Sequence, residues 1–243
     1  MLTVRKVGSI IEKLKEMLEE YLEKTKPKYY PPVENLLDLV YEHYTENNSI
    51  APENTVAGKA AKEKEKELEQ KVQEYWTCRA HDFSTVRKNE LKDNEISGSW
   101  LAEIGQYLPV SSGLDILDVG TGTGYFAILL ALHGHRTTGI DFTRAMLQEA
   151  EETADNYAAN ASFLYMDAQA LDFPDNSFDA IVTRNLTWTL PEPEKAYQEW
   201  HRVLRPGGIL LNFDASYADN VRNRNQKESY VSSKDVYGHC GIT

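Results

Sequence analysis

The sequence predicts an α/β protein built on a doubly wound, mostly parallel sheet. From residue 95 onward, short apolar runs alternate with stretches of helical periodicity, the texture of a parallel sheet covered on both faces. The first of those runs ends in a turn with three glycines in five positions, Gly120, Gly122 and Gly124, and a helical stretch follows directly. Further on, residues 192–204 read as an amphipathic helix. Pro191 and Pro193 mark its start, Ala196, Tyr197, Trp200, Val203 and Leu204 form one face, and "PGG" follows it.

Taken in order, Val4, Val7, Ile11, Leu14, Leu18 and Leu22 recur at helical spacing and stop before Pro27. A second helix is expected after Pro31 and Pro32, with Val33, Leu36, Leu37, Val40 and Tyr44 on one side, so the two can form a helical hairpin. Between Gly58 and Trp76, Lys and Glu interleave as on a solvated connecting helix whose apolar positions thicken at Leu68, Val72 and Trp76. Residues 1–70 are therefore read as an all-helical extension and 71–243 as the main domain. Within the latter, strands are expected at 114–119, 136–140, 162–166, 178–183 and 209–214, and helices near 97–107, 125–133, 144–157 and 192–204. Right-handed crossovers place the C-terminal ends of such strands on one edge, where ligands bind.

Composition removes several classes of function. A formal net charge of −12 over 243 residues speaks against a chain that grips phosphate backbones, since that affinity comes from Lys and Arg. Cys78 and Cys240, far apart, give neither a disulfide framework nor a zinc-ligand spacing. His133, His135 and His201 have neither Cys nor carboxylate partners around them at ligand spacing, and no metal is expected. The first twenty residues lack both the apolar centre of a signal peptide and the length of a membrane span, so a cytoplasmic protein without membrane or nucleic-acid partners is expected.

A strand ending at Asp118, then three spaced glycines, then a helix, brings a ligand against bare backbone at a helix N-terminus. Glycines also serve tight strand-to-helix packing, and that reading stays open. The third glycine comes one residue early for the dinucleotide pattern G-x-G-x-x-G, Tyr occupies position 125, and no Lys follows to make a phosphate loop. Asp141 ends the next strand, 21 residues after Gly120. Carboxylates so placed bind a ribose diol, because their two acceptor oxygens match two adjacent hydroxyls. Capping of the helix near Arg144 is the other use for Asp141, although Thr143 is better placed for it. Asp167, at the end of the third strand, offers an acceptor for an exocyclic amine.

"LDVGTGTG", "GIDFT", "MDAQALDFPDNSFDAIVTRN" and "EWHRVLRPGGILLNFD" follow one another in the order and at the spacing of the class I S-adenosylmethionine-dependent methyltransferases, with their Rossmann-like sheet. They particularly resemble the small-molecule branch of the ubiquinone and menaquinone methyltransferases (methyltransferase type 11), over roughly residues 75 to 214. The resemblance implies that Gly120, Gly122 and Gly124, with Thr121 among them, admit the amino-acid portion of the cofactor. It implies that Asp141 holds the ribose hydroxyls beside Phe142, that Asp167 holds the adenine amine beside Ala168, and that Asp118 sets the loop. Backbone around Arg184 and Asn185 would face the methionine portion and the reacting sulfur, which makes Asn185 a catalytic candidate as well. Sheets of this family usually end with two further strands, but residues 215–243 show no two alternating apolar runs. The C-terminal strands are thus expected to be missing, with the chain shortened relative to its gene or the edge covered by the N-terminal helices or a second subunit.

Methyl transfer from a sulfonium needs positioning and exclusion of water more than a base. "RNLTWTL" replaces the N/D-P-P-Y stretch of enzymes that methylate nucleobases or Gln amides, which points to another acceptor. In similar methyltransferases the segment corresponding to "EYWTCRAHDFSTVR" folds over the cofactor as a lid. Tyr75 and Arg79 are its candidates for cofactor contact, by aromatic packing and by pairing with the methionine carboxylate. His81 is a candidate base if it reaches the pocket, its ordinary pKa near 6.5 suiting proton removal; otherwise it is a surface residue. Trp188 either walls a substrate pocket or belongs to the core. The function expected is methyl transfer from S-adenosylmethionine to a small molecule, with the N-terminal helices contributing either to substrate access or to dimerisation. The alternatives are a non-catalytic S-adenosylmethionine-binding scaffold and, more weakly, an NAD-dependent oxidoreductase.

Overall fold

The computed structural model describes residues 56–109 and 113–214. The predicted helical hairpin before residue 50, the dimer contact assigned to it and the tail 215–243 lie outside the described residues.

α1 (Val56–Lys92) opens the described chain. Its 37 residues continue well past Trp76 because neither Gly nor Pro interrupts the sequence from 60 to 92. The expected 70/71 boundary falls inside this helix. α2 (Asn94–Ile104) begins three residues earlier than its apolar pattern suggested, because the Asp93 carboxylate accepts the backbone N–H groups of Glu95 and Ile96 at 2.8 and 3.2 Å. This satisfies two of the donors every helix start leaves open.

Five strands follow, with helices between them: β1 (Asp115–Val119), α3 (Tyr125–Leu132), β2 (Arg136–Asp141), α4 (Arg144–Tyr157), β3 (Ala161–Tyr165), β4 (Phe178–Arg184), α5 (Pro193–Val203) and β5 (Leu204–Phe213). All pairings are parallel, in the order β3-β2-β1-β4-β5. The order reverses at β1, so the crevice outside β1 and β4 is the place this architecture offers a ligand. β1 and β4 are central and read as apolar runs because both of their faces are buried.

Successive side chains of these strands enter different cores. Ile116, Ala180 and Val182 pack with Ile96, Trp100 and Ile104 of α2 and Phe126 and Leu129 of α3. Leu117, Val119 and Ile181 pack on the other face with Ala196, Trp200 and Val203 of α5. Trp200 is fully buried and its indole N–H donates to the Ala168 carbonyl at 2.9 Å, which anchors the segment after β3. α5 passes directly into β5. "PGG" does not lie between them as a terminator; it forms an excursion within the strand, where the register jumps from Phe178↔Leu204 to Ala180↔Ile209. Among the described residues no helix is long and apolar enough to cross a membrane.

Candidate functional site

The glycine turn is held by a buried carboxylate. Asp118 Oδ2 accepts the Thr121 hydroxyl at 2.6 Å and the Ala127 N–H at 3.0 Å, tying the loop to the first turn of α3. Burial pushes the Asp118 carboxyl up to about 7, against the effect of those two hydrogen bonds. The three glycines turn out to have different neighbours. A side chain on Gly124 (φ +83°) would stand 2.9 Å from Ala150 and 3.0 Å from Phe163, so its bareness serves the packing of α4 and β3 against the loop. On Gly120 a side chain would meet Leu186 at 2.8 Å. Gly122 (φ +54°) faces only the Phe83 ring, at an ordinary 3.6 Å.

Asp141, at the end of β2, joins the loop to the next helix. Its Oδ2 accepts the Gly122 N–H at 2.9 Å and its Oδ1 the Thr143 N–H at 2.8 Å, while burial raises its pKa. Asp167, just past β3, is exposed and accepts the Gln169 N–H at 2.8 Å through Oδ1. Ala168 beside it is buried.

α1 lies across this edge. Its Leu68, Val72 and Tyr75 form a cluster with Trp76, with Phe142 after β2 and with Trp188 in the short 3₁₀ turn Thr187–Thr189. Gln73 donates to the Phe142 carbonyl and, at 3.2 Å, to the Tyr165 hydroxyl. Tyr75, Phe142 and Trp188 are thus brought together. Arg79 donates to the Tyr75 hydroxyl. His81 is elsewhere: its side chain is 81% exposed and its Nδ1 pairs with Glu149 of α4 at 2.9 Å, a bond that raises the imidazole pKa.

Beyond β4, Arg184 and Asn185 begin the loop leading to Trp188. Asn185 adopts φ +56°, an uncommon conformation for a residue with a side chain, and its N–H donates to the Phe213 carbonyl at 3.0 Å. The next two amides, of Leu186 and Thr187, donate to the Asp214 carboxylate at 2.9 and 3.1 Å. Burial raises the Asp214 pKa.

Two acids of the site were missed in the sequence. Asp214 carries the same signal as Asp141 and Asp167, an acid at a strand's C-terminal end, and could have been found by it. Glu90 carries no such signal, being one Glu among many on α1. It is only 5% exposed and accepts Arg87 Nη1 at 2.5 and 2.6 Å and Arg184 Nη1 at 3.2 Å. Burial opposes its ionisation, yet the two guanidiniums hold its carboxyl below the usual range. The Arg184 guanidinium sits 4.6 Å from the Trp100 ring, 5.5 Å from Tyr125 and 5.8 Å from Phe126, and burial brings its pKa down to about 10. Among the described residues no cluster of His, Cys, Asp and Glu could hold a metal.

Known proteins resemble this part of the chain. Residues 117–212 match the family model described as a methyltransferase domain. A phosphatidylethanolamine N-methyltransferase of Cereibacter sphaeroides is 42% identical over 100 residues, 40% of this chain and 48% of that one. A demethylmenaquinone methyltransferase of Listeria monocytogenes is 32% identical over 135 residues, 54% of this chain and 56% of that one. Among solved structures, the YcgJ protein of Bacillus subtilis is 27% identical with a TM-score of 0.47, over 52% of this chain and 56% of that one. The chain spans about half the length of the curated relatives it matches. The resemblance to the class I S-adenosylmethionine-dependent methyltransferases holds over the glycine turn, the sheet and the strand that closes it.

Proposed function

We propose that the chain binds S-adenosylmethionine along the C-terminal edge of its sheet and transfers the methyl group to a small molecule. The observation that carries this reading is Asp141, a strand-end carboxylate clamped between the Gly122 and Thr143 amides beside the glycine turn.

The residues present suit such a cofactor. Two acceptor groups at successive strand ends, Asp141 and Asp167, match a ribose diol and an exocyclic amine. The Phe142 and Tyr75 rings supply an apolar cover for a base, and the glycine turn supplies backbone amides. The cofactor itself brings an activated methyl group on a neutral leaving group. What remains for the chain is to orient the acceptor and exclude water. α1 provides the cover, and the loop 184–188 provides a wall fixed by Asp214 and Phe213. We assign no proton transfer to His81, whose imidazole is engaged with Glu149 on the exterior. The relatives are named for a phospholipid and a quinone, two different acceptors, so neither is carried over.

Calorimetric titration with S-adenosylhomocysteine tests the reading. The wild type is expected to bind it, and Asp141→Ala to weaken binding by about a hundredfold with the melting temperature monitored alongside, because two hydrogen bonds to a charged group are lost. Release of S-adenosylhomocysteine in a screen of acceptors then tests turnover; absence of any binding by the wild type would overturn the reading.

A further inference from the structure

The loop that follows β4 is folded around an anion of the chain's own. Asn185 takes a left-handed backbone (φ +56°) and Leu186 a right-handed one (φ −109°, ψ −48°). In such a pair successive amide N–H groups turn to one side and form a concavity that suits an anion. The amides of Leu186 and Thr187 converge on one carboxylate, Asp214, and reach it through different oxygens, Oδ1 at 2.9 Å and Oδ2 at 3.1 Å. The amide before them, of Asn185, donates to the Phe213 carbonyl at 3.0 Å. Three consecutive N–H groups are thus tied to two consecutive residues at the end of β5, two of them by hydrogen bonds that the carboxylate charge strengthens.

What this anchor holds lies against two other parts of the site. Leu186 packs into the room that Gly120 leaves, where a Cβ would stand 2.8 to 3.1 Å from three atoms of the leucine side chain. Two residues on, Trp188 packs against the cluster of Leu68, Val72 and Tyr75 from α1. Thr189 bonds back to the Leu186 carbonyl with both its N–H, at 2.9 Å, and its hydroxyl, at 2.7 Å. Residues 186–189 are therefore one unit, and the places of Leu186 and Trp188 follow from that of Asp214.

Strand order divides the edge. In the sequence β3-β2-β1-β4-β5, Asp141 and Asp167 follow β2 and β3 on one side of the glycine turn, and the loop held by Asp214 follows β4 on the other. A ligand laid along the edge meets the two sides with different parts.

We propose that Asp214 is a positioning residue for the reacting end of the cofactor. Without touching the ligand, it fixes the backbone of residues 185–187, seats Leu186 on the glycine turn and holds Trp188 beneath α1. The carboxylate is needed because two amides require two acceptor oxygens, whereas a side-chain amide offers one oxygen and turns an NH₂ group toward the other N–H. The role rests on the function proposed above, which supplies the ligand and its direction along the edge.

Two probes separate the ends: S-adenosylhomocysteine, and adenosine, which lacks the sulfur and the amino-acid portion. Calorimetry measures the first and ligand-observed NMR, suited to weak binding, the second. Asp214→Asn is expected to weaken S-adenosylhomocysteine about tenfold and to leave adenosine within about twofold. Leu186→Ala, which removes the contact with Gly120 and keeps Asp214, is expected to divide the two probes in the same way, and it carries the test should Asp214→Asn fail to fold. The amide resonance of Thr187 reports the hydrogen bond directly and is expected to move upfield in Asp214→Asn. The proposal is overturned if Asp214→Asn weakens both compounds alike, if it weakens neither, or if the Thr187 resonance stays in place. A wild type that binds neither compound defeats the proposed function and this role with it; each of the other adverse outcomes requires a binding wild type and so removes the role alone.

Discussion

Asp118 combines burial, two hydrogen bonds and a pKa of about 7, and this has a consequence for stability. Its folded pKa lies above the ordinary value, so between the two the folded chain binds more protons than the unfolded chain. Its contribution is present at low pH and is lost as pH rises towards 7, by about 1.4 kcal/mol per pH unit. The depressed carboxyls of Glu149, Asp115 and Glu90 act in the opposite sense and at lower pH, while the raised carboxyls of Asp141 and Asp214 share the sign of Asp118, so its part between pH 5.5 and 7 is read as a difference from Asp118→Asn. His81, raised by Glu149, shares the sign of Asp118, and comparison with Asp118→Asn removes its part. In urea titrations the wild type is expected to lose about 2 kcal/mol more than Asp118→Asn across this window; equal slopes would mean that Asp118 is ionised throughout. At this same scale the sequence was most legible at Asp118, Asp141 and Asp167, because an acid at a strand end is visible in the chain itself. Glu90 was not legible, since its distinction from other glutamates on α1 lies in its burial and its two partners.

Between elements, the glycine turn is a junction of α3, α4 and β3. Gly124→Ala puts a methyl group into Ala150 and Phe163 and forces a left-handed backbone on alanine, so it is expected to destabilise by about 2–5 kcal/mol. Gly122→Ala carries the conformational strain alone, about 1–2 kcal/mol, because its methyl group meets Phe83 at ordinary distance. Urea denaturation of both variants measures the difference, and equal costs would remove the packing role of Gly124. Element limits were read well where the signals are local, as in β1, β2 and α4, and less well where a neighbour sets them. Asp93 moved the start of α2, and pairing with β4 drew Leu204 into β5 ahead of "PGG". Residues 77–92 continue α1 over the sheet edge, which charge patterning alone could not reveal, since it shows which positions avoid water and not what they cover.

For the molecule as a whole, two cores separated by one sheet carry the fold. Leu129→Ala in the α2–α3 core is expected to cost about 2–5 kcal/mol and Val203→Ala in the α5 core about 2 kcal/mol. The two clusters share no residue, so the double variant should equal the sum within about 0.5 kcal/mol; a larger discrepancy would mean the cores are coupled through the sheet. The sequence by itself determined the doubly wound sheet and the places of three acids at the C-terminal ends of its strands. Apolar periodicity, turn residues and acid spacing are properties of neighbouring positions. Only the tertiary structure decided that Arg184 meets Glu90, 94 positions away, that Asp214 holds the loop after β4, that Gly124 serves packing and that His81 faces Glu149. Such contacts depend on how distant segments are brought together, and one residue's place in the chain does not reveal the charge or ring that will stand opposite it.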